Sequence, residues 1–130
     1  MIRSDIIKSR DGMGDRNACV VIAWAEIFGC SFEKAFAYLQ DHGRKYRRGM
    51  FNKDIESAMR NVVSFKVEKL PYSEDNRVSI TKFVKNHPVG RYFVLVRGHA
   101  LCIKDGVVFD NIGMTNRRQV IGAWKIEEKE

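Results

Sequence analysis

The sequence predicts an α+β fold in which N-terminal helices pack on a C-terminal antiparallel β-sheet. Three observations carry this. Apolar residues recur at helical spacing through the segments that begin at Asp15, Ser31 and Asn52. Short β-branched runs replace them from Arg91 onward. Between two of those runs stands Asp105-Gly106, a strong two-residue hairpin signal.

The stretch Asp15 to Gly29 reads as a helix with Asn17 or Asp15 as N-cap and Gly29 as its left-handed terminator. Val20, Val21, Ala23, Trp24, Ile27 and Phe28 leave it apolar around most of its circumference, which predicts burial. With Asn17 as cap, Cys19 takes the second helical position. Free amides and the helix dipole there favour a thiolate. The plainer alternative is that Cys19 is a packed core residue, since free cysteine is among the most buried residue types.

Before this helix, Met1 to Gly14 is polar and glycine-containing and is expected to form a strand or loose arm. After it, Ser31 caps a helix from Phe32 to His42, with Phe32, Ala35, Phe36 and Leu39 on one face and Gly43 beyond. Arg44, Lys45, Tyr46, Arg47 and Arg48 then place four cations around one ring. This is a candidate basic patch for phosphates and bases, or else a solvated loop. Asn52 is expected to cap a helix from Lys53 to Arg60. Val63, Phe65 and Val67 alternate with polar residues as in a half-exposed strand. A turn-rich loop follows from Pro71 to Arg77, and Ser79 opens a short helix that stops before His87-Pro88. Tyr92 to Val96, Gly98 to Lys104, Val107 to Asn111 and Val120 to Ile126 read as strands, with an acidic tail after them.

The 130 residues suit a single domain over 1–130, and a chain of that size buries about two-thirds of its unfolded surface. The three cysteines do not resemble a disulfide framework, which points to a reducing compartment. Met1 to Gly14 lacks the apolar centre of a signal peptide, and no membrane-length apolar run exists, so the expected location is cytoplasmic with no membrane partner. The net charge of +7 favours anionic partners, nucleic acid or a host protein among them, without establishing either. His42, His87 and His99 do not fall at zinc-ligand spacing with the cysteines, so no metal and no cofactor is expected.

Hairpin register supplies a partner for Cys19. With Asp105-Gly106 as the turn, Lys104 pairs with Val107, Ile103 with Val108 and Cys102 with Phe109. His99 and Asp110 then become diagonal neighbours at the end away from the turn. Cys102 falls on the other face and is expected to be structural, as is Cys30. A thiol at a helix start, an imidazole and a carboxylate are the parts of nucleophilic catalysis: Cys19 as nucleophile, His99 as base and acid, Asp110 as orienter. The Cys19 amide would be one oxyanion donor, with the Asn17 or Asn111 side chain as a speculative second.

Four stretches carry a resemblance: Asn17 to Ala25, Gly29 to Ala35, Gly90 to Ala100 and Asp105 to Asp110. Together they resemble small papain-like cysteine peptidase domains. The nearest likeness is to compact forms from bacteriophages and bacteria that share the layout of bacteriocin-processing and cell-wall peptidases. The resemblance spans Gly14 to Trp124 in the order Cys, His, Asp. It implies a helix bearing Cys19 against a sheet bearing His99 and Asp110. It also implies a peptide or protein substrate cleaved at an amide or isopeptide bond. Where many members carry a glutamine shortly before the nucleophile, this chain has Met13. The alternative is an inactive domain of the same fold that binds a host protein or nucleic acid through its basic surface.

Overall fold

The computed structural model describes residues 2–15, 18–110 and 118–129. Among these it is α+β, with helices α1 (Ser4–Met13), α2 (Cys19–Phe28), α3 (Phe32–Asp41), α4 (Asn52–Arg60) and α5 (Ile80–Asn86). The strands are β1 (Phe65–Lys69), β2 (Val78–Ser79), β3 (Arg91–Val96), β4 (His99–Lys104), β5 (Val107–Phe109) and β6 (Gln119–Glu128). They form one antiparallel sheet in the order β1-β6-β3-β4-β5, with β2 also paired to β6.

Helix α2 lies at the centre. Every residue from Val20 to Ile27 is buried, as its all-round apolar character requires. One side meets Ala100, Cys102, Phe93 and Leu95 of the sheet, and the other meets α1 and α3. Trp24 packs edge-on to Phe93 and stacks on Tyr38. Glu26 is a carboxylate inside this apolar helix. It is neutralised by Lys104 Nζ of β4 at 2.7 Å and accepts the Arg3 amide at 2.7 Å, pinning helix, strand and N-terminal segment together. The opposite face of the sheet carries a second cluster, in which Tyr92, Val94, Leu101 and Ile103 meet Ile80 and Phe83 of α5.

The structure corrects the expectation for the N-terminal segment. Residues 4–13 are helix α1, not a strand or loose arm. Ile2 and Ile6, four residues apart, are buried against α2 and α3, while Asp5 and Arg10 complement the dipole at its two ends. Two buried isoleucines suffice because the charged residues between them occupy the solvent side. Similarly, Val63 is largely exposed and lies before β1. At the far end, β6 runs on to Glu128 because Glu127 and Glu128 pair with Lys66 and Phe65 of β1. Asn52 is the first residue of α4, with Phe51 in the cap position.

The hairpin register is the one the turn predicts: Lys104↔Val107, Ile103↔Val108, Cys102↔Phe109. Asp105 and Gly106 both have positive φ, 48° and 79°, as a primed turn requires. The Asp105 carboxylate accepts the Gly90 amide at 2.8 Å, which ties the turn to the entry of β3. No helix among the described residues is long and apolar enough to cross a membrane.

Candidate active site

Helix α2 begins at Cys19, with Ala18 in the cap position and no side-chain cap among the described residues. Cys19 is therefore the first helical residue, not the second, and Asn17 does not hold the expected N-cap position. Asn17 and Asn111, the speculative oxyanion donors, lie outside the described residues. The first turn of α2 meets the first residues of β4. There the His99 ring and the backbone of Ala100 come close enough to the Cys19 thiol to act on its ionisation, and Cys19 and His99 line the same cleft. His99 Nε2 meets Asp110 Oδ1 at 2.7 Å, with only 8% and 7% of the two side chains exposed. Nε2 is thus engaged by the carboxylate, which leaves Nδ1 as the ring nitrogen that can face the thiol.

Charge follows from these contacts. Burial works against ionising Cys19, but the bonds from His99 and from backbone amides outweigh it and lower its pKa below that of an ordinary thiol. Burial likewise opposes the His99 cation, yet Asp110 and Cys19 reverse this and raise the ring to about 9. Both shifts favour a thiolate beside an imidazolium over the neutral pair. The other cysteines are different. Cys102 is buried under α2 and its burial pushes the thiol up to about 12, while burial also raises Cys30. The remaining histidines are structural: His42 bonds Tyr38 and Asn61, and His87 meets the Tyr72 hydroxyl within an aromatic cluster.

Cys19 is only half-buried and, with His99, lines a cleft of about 160 Å³. Val20, Leu95, Val96 and Gly98 form one side of it, and Gly49, Met50, Asn52 and Ile55 the other. This second wall was not visible in the sequence. Asn52 read as a helix cap, and no local signal places the α3–α4 loop opposite a cysteine some thirty positions earlier. Asn52, the first residue of α4, is among the residues that line the cleft.

The basic run needs correction at its first member. Arg44 is buried and paired with Asp15 at 2.8 Å, with 1% and 0% of the side chains exposed, so it is no part of a basic surface. Lys45, Tyr46, Arg47 and Arg48 are exposed, and the Tyr46 hydroxyl donates to the Met13 carbonyl. The loop that walls the cleft is therefore fastened to the segment leading into Cys19 at two points. Among the described residues no cluster of metal-binding side chains is present.

The charge on Asp110 and its orienting role can be separated. An Asp110→Asn variant keeps an oxygen for the ring but loses the negative charge that favours the imidazolium. The His99 pKa is then expected to fall from about 9 toward the ordinary 6.5, narrowing from above the pH range of the ion pair. NMR titration of the His99 ring protons checks this, and a titration unchanged from the native one would refute it.

No protein-family model matches the chain, and neither a curated protein nor a solved structure matches it.

Proposed function

We propose that the protein is a cysteine hydrolase of papain-like layout that cleaves an amide, isopeptide or related acyl bond through Cys19, His99 and Asp110. The observation that carries this is that Cys19 and His99 line one cleft, with His99 held by Asp110 at 2.7 Å and acting on the ionisation of the thiol. A catalytic triad needs a nucleophile, a base in contact with it, and a group orienting that base. In the first step the Cys19 thiolate attacks the acyl carbon, and negative charge moves to the carbonyl oxygen. The amides of the first turn of α2, which have no intrahelical acceptor, offer hydrogen bonds to that oxygen. The imidazolium of His99 gives its proton to the departing amine, leaving a thioester on Cys19. Neutral His99 then takes a proton from water, and the resulting hydroxide attacks the thioester. The acid is released and the thiolate–imidazolium pair returns.

p-Nitrophenyl acetate tests this without knowledge of the natural substrate. Acetyl transfer to Cys19, seen by mass spectrometry of the peptide bearing it, followed by turnover, is the expected result. Failure of the native protein to exceed its Cys19→Ser variant would overturn the proposal.

A second reading is an inactive domain of this fold that binds a nucleic acid or a host protein. It is favoured by exposed Lys45, Tyr46, Arg47 and Arg48 beside the solvent-facing Phe51. Its signature would be salt-dependent oligonucleotide binding, or capture of a defined partner, by a protein whose Cys19 is inert.

A further inference from the structure

A cluster of arginines stands beside the cleft. Val96 of β3 pairs with His99 of β4 on one side and with Val120 of β6 on the other. The turn at Arg97-Gly98 and the start of β6 therefore share the end of the sheet that carries His99. Strand β2 joins them there, Val78 pairing with Val120 and Ser79 with Gln119, which brings Arg77 alongside. Arg77, Arg97 and Arg118 line one open hollow together with Gln119 and Ile121. Val96 and Gly98, which flank and include that turn, line the Cys19 cleft, so a single short segment separates hollow from cleft.

Three guanidinium groups in one hollow repel one another unless an anion joins them. One carboxylate is already present. Glu74 Oε2 lies 2.9 Å from Arg97 Nη2 and 4.0 Å from Arg77 Nη1. Arg118 Nη2 donates to the Arg97 carbonyl, which fixes the cluster to the turn. Three positive charges against one negative leave room for a second carboxylate, and a guanidinium fork suits that group in particular. Glu74 supplies an internal example of the fit.

We propose that Arg77, Arg97 and Arg118 form a subsite for an acidic side chain of a peptide substrate, next to the bond that Cys19 attacks. This rests on the hydrolase reading above. A carboxylate is favoured over a polynucleotide because no ring lines the hollow among the described residues. Single-stranded nucleic-acid sites pair their cations with stacking aromatics.

The test uses the whole protein, a fluorescein-labelled glutamate-rich peptide, and iodoacetamide as thiol probe. At low salt the peptide is expected to bind and to slow alkylation of Cys19. An Arg97→Gln/Arg118→Gln variant is expected to lose about tenfold or more in affinity, as for two charge-assisted bonds, while its Cys19 alkylates at the native rate without peptide. Lys8→Gln/Lys66→Gln, at exposed lysines on α1 and β1, removes the same two charges as a control and should bind nearly as the native protein does. Equal binding by the double arginine variant overturns the proposal. So does equal competition by an oligothymidylate of matched charge, which would make the ligand a phosphate polyanion. Arginine-dependent peptide binding by a protein whose Cys19 reacts no faster than a free thiol would support the acidic-peptide site. It would overturn the hydrolase reading, so the two failures are distinguishable.

Discussion

Replacing His99 by alanine is expected to slow alkylation of Cys19 at neutral pH by at least about tenfold, and to reduce acyl turnover by about 10²- to 10⁴-fold. The reason lies in the balance at the thiol. Burial alone raises the Cys19 pKa, and the nearby His99 ring, with the backbone of Ala100, brings it down. Without the ring, burial prevails and the thiolate becomes a minor species at neutral pH. Turnover suffers further because the leaving amine loses its proton donor. Rates of iodoacetamide labelling against pH read the thiolate fraction directly. The native profile should rise at lower pH than that of an ordinary thiol, while the His99→Ala profile should rise only at higher pH. Superimposable profiles would mean that the contact between the two side chains has no chemical consequence, and the hydrolase reading would fall.

The second large effect is expected far from any chemistry. Arg44→Ala leaves the Asp15 carboxylate, which has no exposed side-chain surface, without its guanidinium. Removing one member of a buried ion pair costs about 3–5 kcal/mol, because a charge is left uncompensated in a medium that solvates it badly. A loss of that size is a large part of the stability of an ordinary domain. Replacing both residues by apolar ones of similar volume, Asp15→Leu with Arg44→Met, should recover most of it. Denaturant midpoints of the two single variants and the double variant, compared as a cycle, measure the coupling. Coupling near zero would show that the pair is not what joins the segment before Cys19 to the 44–51 loop. Because Asp15 lies four positions before the nucleophile and Arg44 opens the loop that leads to Gly49 and Met50 of the cleft, Arg44→Ala should also disturb Cys19 labelling.

Much of this was legible in the linear chain. Helix α2 follows from an apolar run interrupted only by Glu26 and closed by Gly29, whose φ of 67° is the left-handed value a helix terminator needs. The hairpin register follows from Asp105-Gly106, because a two-residue turn permits only one pairing. That register by itself sets Asp110 against His99, and the 2.7 Å bond agrees with it. Helix α1 was misread because its buried signal amounts to two isoleucines among charges. Arg44 was misread because a cation in a basic run cannot be told from a buried one until its acidic partner is known.

What the sequence alone determined is local: the class of fold, the terminators, the turn, and the neighbours that a turn imposes within one hairpin. Each depends on backbone conformations or side-chain alternation over a few adjacent residues. Only the tertiary structure decided what surrounds the sulfur: His99 from a strand eighty positions on, Gly49 and Met50 of the α3–α4 loop with Asn52 of α4 lining the same cleft, and Asp15 paired with Arg44. Such meetings are fixed by how apolar faces of separate elements bury one another, and that packing leaves no periodic trace along the chain.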